Sequence, residues 1–201
     1  MNSPDIHRNE NRVGLLGYYW FLTFEQAPEL HALTKECQTA IDGRYFDLTP
    51  VDGLHLTLDR IAYNGGSTPE RLSLVASAAR EACRDQRPFT VTFDRVTNLR
   101  SAIGFNVSPI QQVRNLRDTL RAATLSVSPD APVKVSASDP HVTIAYPSCD
   151  ETSAADAAAT AERINATIYG VDVTIAEVAM VLLERHMRGY SWKVVVRIPL
   201  V

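Results

Sequence analysis

A four-residue pattern, histidine–apolar–threonine–apolar, occurs twice in this chain and constrains its fold more than any other feature. The first copy is His55–Leu58, in GLHLTLDRIAY, and the second is His141–Ile144, in DPHVTIAYPS. The copies lie about half the chain apart, and each follows one predicted helix and precedes another. Because internal repeats determine architecture, this spacing predicts two related halves hidden by divergence.

The segments around the two copies predict a mixture of strands and helices. Alternating apolar residues, rich in β-branched and aromatic types, predict strands, whereas apolar residues at spacings of three and four predict helices. The predicted strands are 13–24, 54–63, 89–99, 101–108, 141–147, 171–186 and 190–201, and the predicted helices are 27–41, 70–85, 110–125 and 152–168. This order predicts an α+β fold in which helices cover the outside of sheets that face each other.

The chain is predicted to form one domain. Residues 1–12 are polar, lack a hydrophobic signal core and are predicted to be a flexible tail. The remaining residues, 13–201, contain no strong linker and hold enough apolar residues for one sizeable core, since 45% of the 201 residues are hydrophobic.

Hydropathy, cysteine count and net charge limit the cellular location and the kinds of partner that the sequence predicts. No apolar run approaches the roughly 20 residues that a membrane span needs, so no membrane partner is predicted. The three cysteines are an odd number without close pairing, which predicts reduced thiols and a cytoplasmic location. The net charge of −3 argues against a broad nucleic-acid surface, so any such contact is expected to be local.

The doubled pattern predicts a phosphate site. Residues i and i+2 share one face of a strand, so His55 and Thr57 project together, as do His141 and Thr143. If the halves pack with pseudo-twofold symmetry, two imidazoles and two hydroxyls converge. The hydroxyls can then donate to phosphate oxygens, while one neutral histidine removes a proton and the other, protonated, supplies one to the leaving oxygen. Imidazoles with an ordinary pKa of about 6.5 can divide these roles near neutral pH.

This chemistry needs neither a metal nor a cofactor. A zinc site would need further ligands, such as His186 or Cys149, and the sequence contains no short-range ligand pair. His55 and His141 are therefore the predicted catalytic residues, and Thr57 and Thr143 the predicted phosphate ligands.

The segments HLTL and HVTI resemble the paired signatures of the two-histidine phosphoesterase superfamily, and most closely its branch of bacterial 2′-5′ RNA ligase and cyclic phosphodiesterase-like proteins. The resemblance extends over nearly the whole chain, from the opening strand to the terminal VVVRIPL. It implies two pseudo-symmetric lobes, each an antiparallel sheet with outer helices, and an active-site cleft between the sheets. It also implies metal-independent chemistry on 2′,3′-cyclic or 2′-5′ phosphodiesters of RNA ends or nucleotides, without saying which histidine is the base.

Residues just after each motif are candidates for substrate choice. RNA-processing relatives often carry a basic residue after the second motif, where this chain has Tyr146, while Arg60 stands at the equivalent place after the first. Strict alternation directs both side chains away from the cleft unless the strands bend, and both are kept as candidate substrate contacts. The same alternation places Asp59 on the cleft face, where it would repel a polyanion.

Aromatic residues of the first strand are candidates for stacking on a base. Tyr18, Tyr19 and Trp20 are consecutive, so they face both sides of the strand, and Tyr18 and Trp20 are the predicted substrate contacts. Three residues at the turn of the last hairpin are candidates for the rim of the cleft: Arg185, His186 and Arg188.

Two alternatives to RNA-end chemistry stay open. One is a pathway-specific phosphoesterase for a small nucleotide-like metabolite that uses the same four residues, which the net charge of −3 and Asp59 favour slightly. The other is a non-catalytic nucleotide- or RNA-binding module on the same scaffold.

Overall fold

The computed structural model of this chain describes residues 13–133, 139–148 and 153–201. The predicted tail, residues 1–12, and Cys149 lie outside the described residues, so the prediction of a flexible tail stays a prediction.

The described residues form ten strands and four α-helices. The strands are β1 (Gly14–Thr23), β2 (Phe46–Leu48), β3 (His55–Tyr63), β4 (Phe89–Phe93), β5 (Val96–Leu99), β6 (Ala102–Asn106), β7 (His141–Pro147), β8 (Val171–Ile175), β9 (Glu177–His186) and β10 (Gly189–Pro199). The helices are α1 (Pro28–Gln38), α2 (Pro69–Ala82), α3 (Ile110–Val127) and α4 (Ala154–Asn165). None of these helices is both long and apolar enough to cross a membrane.

The two motifs lie in two different four-stranded sheets, as the fold prediction requires. The first sheet has the order β10-β9-β1-β3 and the second the order β2-β7-β6-β5, and every strand pairing is antiparallel. The prediction of an α+β fold with two antiparallel sheets and packed helices is therefore confirmed. Strands β4 and β8 form a further two-stranded sheet that the sequence did not predict.

Two predicted strands are each divided between different sheets, which corrects the predictions for 89–99 and 171–186. The first divides into β4 and β5 at Asp94 and Arg95, which are both exposed and interrupt the alternation between buried Phe93 and buried Val96. The second divides into β8 and β9 at Ala176. In both cases the first piece joins the two-stranded sheet and the second piece enters a four-stranded sheet.

The apolar residues of both motifs belong to one continuous core. Leu56 and Leu58 of β3 are 1% and 4% exposed, and Val142 and Ile144 of β7 are completely buried. The alternation of the motif therefore sends its apolar residues to the core and leaves the histidines and threonines on the opposite face, as predicted.

Candidate active site

The four motif side chains meet where the two sheets contact each other. Strand β3 is the edge strand of the first sheet and lies against β7 of the second. His55, Thr57, His141 and Thr143 line one cavity of about 130 Å³. Each pair is thus supplied by one lobe, which is the convergence that the repeat predicts.

Each histidine is fixed by the same local hydrogen bond. Nδ1 of His55 lies 3.0 Å from the carbonyl oxygen of Gly53, and Nδ1 of His141 lies 2.8 Å from that of Asp139. Because a carbonyl oxygen only accepts, Nδ1 must carry the proton in both rings. Nε2 is then the nitrogen that remains for chemistry in the cavity.

The surroundings of the two rings differ. His55 stacks on Phe21, with ring centroids 4.5 Å apart, and contacts the edge of Trp192 at 4.9 Å. Burial lowers the pKa of His55 from 6.5 to about 4, the Gly53 carbonyl partly opposes that shift, and the nearby His141 adds to it. His55 is therefore neutral at physiological pH.

Both motif strands contain a β-bulge at the same position. In β3, Thr57 lies opposite Phe21 and Asp59 opposite Trp20, so that Leu58 is the extra residue. In β7, Thr143 and Ala145 lie opposite consecutive residues of β6, so that Ile144 is the extra residue. Each bulge falls three residues after its histidine, and a bulge of this kind redirects the side chains that follow it.

The bulges correct the strict alternation that the sequence predicts. Arg60 lies opposite Tyr19 and therefore on the face that carries Phe21 and His55. Asp59, expected on the cleft face, is instead 1% exposed and accepts a hydrogen bond from Nε of Arg121 at 2.6 Å. The expected repulsion of a polyanion by Asp59 is therefore wrong, because the carboxylate is buried and paired.

A second cavity, of about 550 Å³, adjoins the first. His55 and Tyr146 line both cavities, and the larger one is completed by Glu25, the loop 48–53 and the β9–β10 hairpin. The rings of Tyr146 and Tyr190 lie 5.5 Å apart, and Trp192 completes an aromatic wall. Of the hairpin residues expected at the rim, His186 and Arg188 line this cavity, while Arg185 stacks on Tyr190.

Tyr146 and Arg60 reach the cleft face to different extents. Burial, followed by the neighbouring Tyr190, raises the pKa of Tyr146 to about 12, so its hydroxyl stays protonated beside its hydrogen-bond partner Thr143. Nε of Arg60 donates to the Tyr19 hydroxyl at 2.9 Å and Nη1 to the Tyr63 hydroxyl at 3.0 Å. Arg60 lines neither of the two cavities.

Trp20 does not reach the cleft, which corrects its prediction as a stacking residue. Its side chain is completely buried, and its indole nitrogen donates to the Thr124 hydroxyl at 3.0 Å. Tyr18 is partly buried and packs against the same core. The cleft face of β1 carries the opposite set, Tyr19 and Phe21, because Tyr18 and Trp20 point towards the core.

Further side chains at these cavities were missed from the sequence, among them Arg117, Arg121, Tyr190 and Trp192. Tyr190 and Trp192 are two residues apart on a strand and so share a face, which the sequence pattern alone could have predicted. The arginines lie four residues apart on α3, which also places them on one face.

The described ranges contain no group of three or more His, Cys, Asp or Glu side chains placed to hold a metal ion. Of the further zinc ligands that the sequence offered, His186 lines the larger cavity and hydrogen-bonds to Ser191, and Cys149 lies outside the described residues.

Residues 28–186 match the model of the 2′-5′ RNA ligase superfamily. The chain belongs to this superfamily. No curated protein matches the chain at a significant level.

Solved structures share the fold at low sequence identity. TT0787 of Thermus thermophilus has a TM-score of 0.68 at 18% identity, covering 91% of this chain and 97% of that one. E. coli LigT complexed with 3′-AMP has a TM-score of 0.67 at 15% identity, covering 93% and 99%. The MHV ns2 PDE domain has a TM-score of 0.51 at 10% identity, covering 92% and 100%. LigT has also been solved with NADP+ and with ATP.

Proposed function

We propose that this protein is a metal-independent phosphoesterase that acts on 2′,3′-cyclic or 2′-5′ phosphodiesters of nucleotides or RNA ends, with His55 and His141 as its acid–base pair. The observation that carries the proposal is the doubled Nδ1 hydrogen bond, which prepares Nε2 of both rings for proton transfer in one cavity. Superfamily membership and the nucleotides bound to LigT support the class of substrate.

The two threonines suit a phosphodiester. Such a group has two non-bridging oxygens, and Thr57 and Thr143 offer one hydroxyl donor from each lobe. The protonated hydroxyl of Tyr146 lies beside Thr143 and helps to orient it. The pseudo-symmetry of the fold thus matches the symmetry of the group being bound.

Desolvation supports His55 as the base, because this ring stays neutral at physiological pH. In hydrolysis of a 2′,3′-cyclic phosphate, Nε2 of His55 takes a proton from water while the water oxygen bonds to phosphorus. Protonated His141 gives its Nε2 proton to the ribose oxygen whose bond to phosphorus breaks. Binding of the anionic phosphate favours an imidazolium, so it raises the basicity of His55 when substrate enters.

The larger cavity suits the nucleoside. Its volume of about 550 Å³ is in the range of small-molecule sites, and Tyr146, Tyr190 and Trp192 offer ring surface for a base. The product of cyclic-phosphate opening would be a nucleoside monophosphate that spans both cavities.

The two alternatives have less support. Asp59, which favoured a small metabolite by repelling RNA, is buried and paired with Arg121. A pure binding module would need no matched pair of imidazoles with their Nδ1 protons fixed.

Turnover of adenosine 2′,3′-cyclic phosphate by the wild type, His55→Ala and His141→Ala tests the proposal. Each substitution should remove nearly all turnover without loss of the folded circular dichroism spectrum, and EDTA should have no effect. His31→Ala is the matched control, because its ring contacts the Phe24 carbonyl oxygen and lines neither cavity. Native turnover in the double variant His55→Ala/His141→Ala would refute the assignment.

A further inference from the structure

Helix α3 carries a row of arginines beside the catalytic cavity. The proposed chemistry uses none of these arginines. Arg114, Arg117 and Arg121 lie three and four residues apart and so share one face of the helix. Arg117 and Arg121 line the cavity of about 130 Å³ together with both histidines. Arg114 pairs at 2.5 Å with Asp139, which also lines that cavity.

Of the two arginines that line the cavity, Arg117 has the contact that is easier to exchange, because the partner of Arg121 is the buried Asp59. Its Nε donates to Oδ1 of Asp118 at 3.1 Å, and its Nη2 lies 3.0 Å from the same oxygen in the ion pair. The Arg117 side chain is 20% exposed and that of Asp118 is 59% exposed, so this ion pair is a weak, hydrated one. Nη1 of Arg117 has no hydrogen-bond partner among residues 13–133, 139–148 and 153–201.

The carboxylates nearby are engaged by other arginines. Asp59 is 1% exposed and bonded to Nε of Arg121, so it anchors Arg121 in the cavity wall and does not face a ligand. Asp139 is bonded to Arg114. A ligand anion that enters this cavity therefore meets Arg117 with its guanidinium only loosely held.

The proposed chemistry of the phosphate under attack assigns no role to Arg117. The two threonines match its two non-bridging oxygens, and the two histidines serve the attacking and leaving oxygens. A guanidinium in the same cavity is nevertheless shaped for phosphate, which it binds through paired N–H donors. A neighbouring phosphate of the same substrate is the anion that fits this position.

We propose, building on the proposed function, that Arg117 of helix α3 binds a second phosphate of the substrate. The preferred substrates are then nucleotides that carry a phosphate on the 5′ oxygen as well as the cyclic or 2′-linked phosphate. Both a terminal 5′-phosphate and the internucleotide phosphate of an RNA end present this chemistry.

Calorimetric binding of adenosine 2′-monophosphate and adenosine 2′,5′-bisphosphate tests the site without requiring turnover. The wild type should bind the bisphosphate about tenfold more tightly, and Arg117→Gln should reduce this ratio to about one. Arg84→Gln is the matched control, because Arg84 also pairs with an exposed carboxylate, Glu81, but lines neither cavity. It should retain the wild-type ratio.

Equal affinity of the wild type for the two ligands, no binding of either, or an unchanged ratio in Arg117→Gln would overturn the inference. Hydrolysis of adenosine 2′,3′-cyclic phosphate by the wild type would leave the proposed function standing in each of those cases. Where the binding ratio holds, turnover of the 5′-phosphorylated cyclic nucleotide and of a dinucleotide with a cyclic end assigns the source. A higher kcat/KM for the first indicates a terminal phosphate, and for the second an RNA end.

Discussion

The two motif strands, β3 and β7, share a backbone plan but differ in what surrounds it. In both, the histidine bonds through Nδ1 to the carbonyl two residues earlier, and an extra residue bulges three positions later. The residue five positions after the histidine, Arg60 in one strand and Tyr146 in the other, differs in chemistry and in the contacts it makes.

The different surroundings of the two histidines show how a fold with two similar halves can give the two rings different chemical roles. Phe21 and Trp192 enclose His55 with aromatic surface, whereas the Nδ1 hydrogen bond of His141 lies at the surface, beside the Arg114–Asp139 ion pair. The repeated backbone supplies two imidazoles with the same Nδ1 hydrogen bond, and the aromatic side chains around His55 lower the pKa of that ring by desolvation.

The largest expected effect distinguishes the roles of the two histidines by comparing substrates with different leaving groups. His55→Ala and His141→Ala should each lower kcat/KM on a ribose phosphodiester by about 10²–10⁴-fold, because each removes a proton-transfer group. On a p-nitrophenyl phosphodiester, whose leaving group needs no proton, His141→Ala should regain most of its activity and His55→Ala should not. If only His55→Ala regained activity on this substrate, His55 would be the acid and His141 the base. If both variants regained activity equally, the two histidines would not have separate acid and base roles.

The next effect comes from the position four residues after each histidine, where one lobe has Asp59 and the other Ala145. Asp59→Ala makes the two lobes alike and removes the buried carboxylate from Arg121. We expect the free energy of unfolding in urea to fall by about 3 kcal/mol, the low end for a broken buried pair because Arg121 is 26% exposed. Asp118→Ala, in an exposed pair, should change it by less than about 1 kcal/mol. Equal effects would show that burial of Asp59 contributes little.

The shared plan of the two strands also explains what the sequence could and could not predict. Two-residue periodicity predicted that His55 and Thr57, and likewise His141 and Thr143, share a face, and the repeat predicted that the two pairs converge. The bulges left no trace in the pattern, because Leu58 and Ile144 are apolar and fit a regular strand as well as a bulged one. The positions of Asp59, Arg60 and Tyr146 were therefore not predictable by alternation.

Other site residues depend on packing that spans the chain. The spacing of Arg117 and Arg121 places them on one face of α3, but only the docking of that helix beside β3 brings them to the cavity. Likewise, alternation showed that Tyr18 and Trp20 share one face of β1 and Tyr19 the other, but not which face meets the cleft, and so Tyr18 and Trp20 were predicted instead of Tyr19.

The neutral state of His55 predicts a smaller, pH-dependent effect on stability. Its pKa is about 4 in the folded protein against 6.5 ordinarily, so the unfolded chain binds the proton first as pH falls. Stability from this group is therefore lost between about pH 6.5 and pH 4, by roughly 2 kcal/mol after allowance for partial solvation. Urea unfolding of the wild type and His55→Gln at several pH values measures it, with His31→Gln as control. A pH dependence that survives in His55→Gln would contradict the desolvated ring.

The smallest effect tests whether the lobes cooperate in binding the base. Tyr190, on the hairpin of the first sheet, contacts Tyr146 of the second, so an inserted base would be held by both lobes. Tyr190→Ser should raise KM for a cyclic nucleotide about five- to tenfold with little change in kcat, since stacking acts on binding. Tyr169→Ser, at an exposed tyrosine outside both cavities, should leave both constants unchanged. A fall in kcat at constant KM would instead assign Tyr190 to the positioning of Tyr146 and Thr143, and would move its role from the nucleoside to the phosphate.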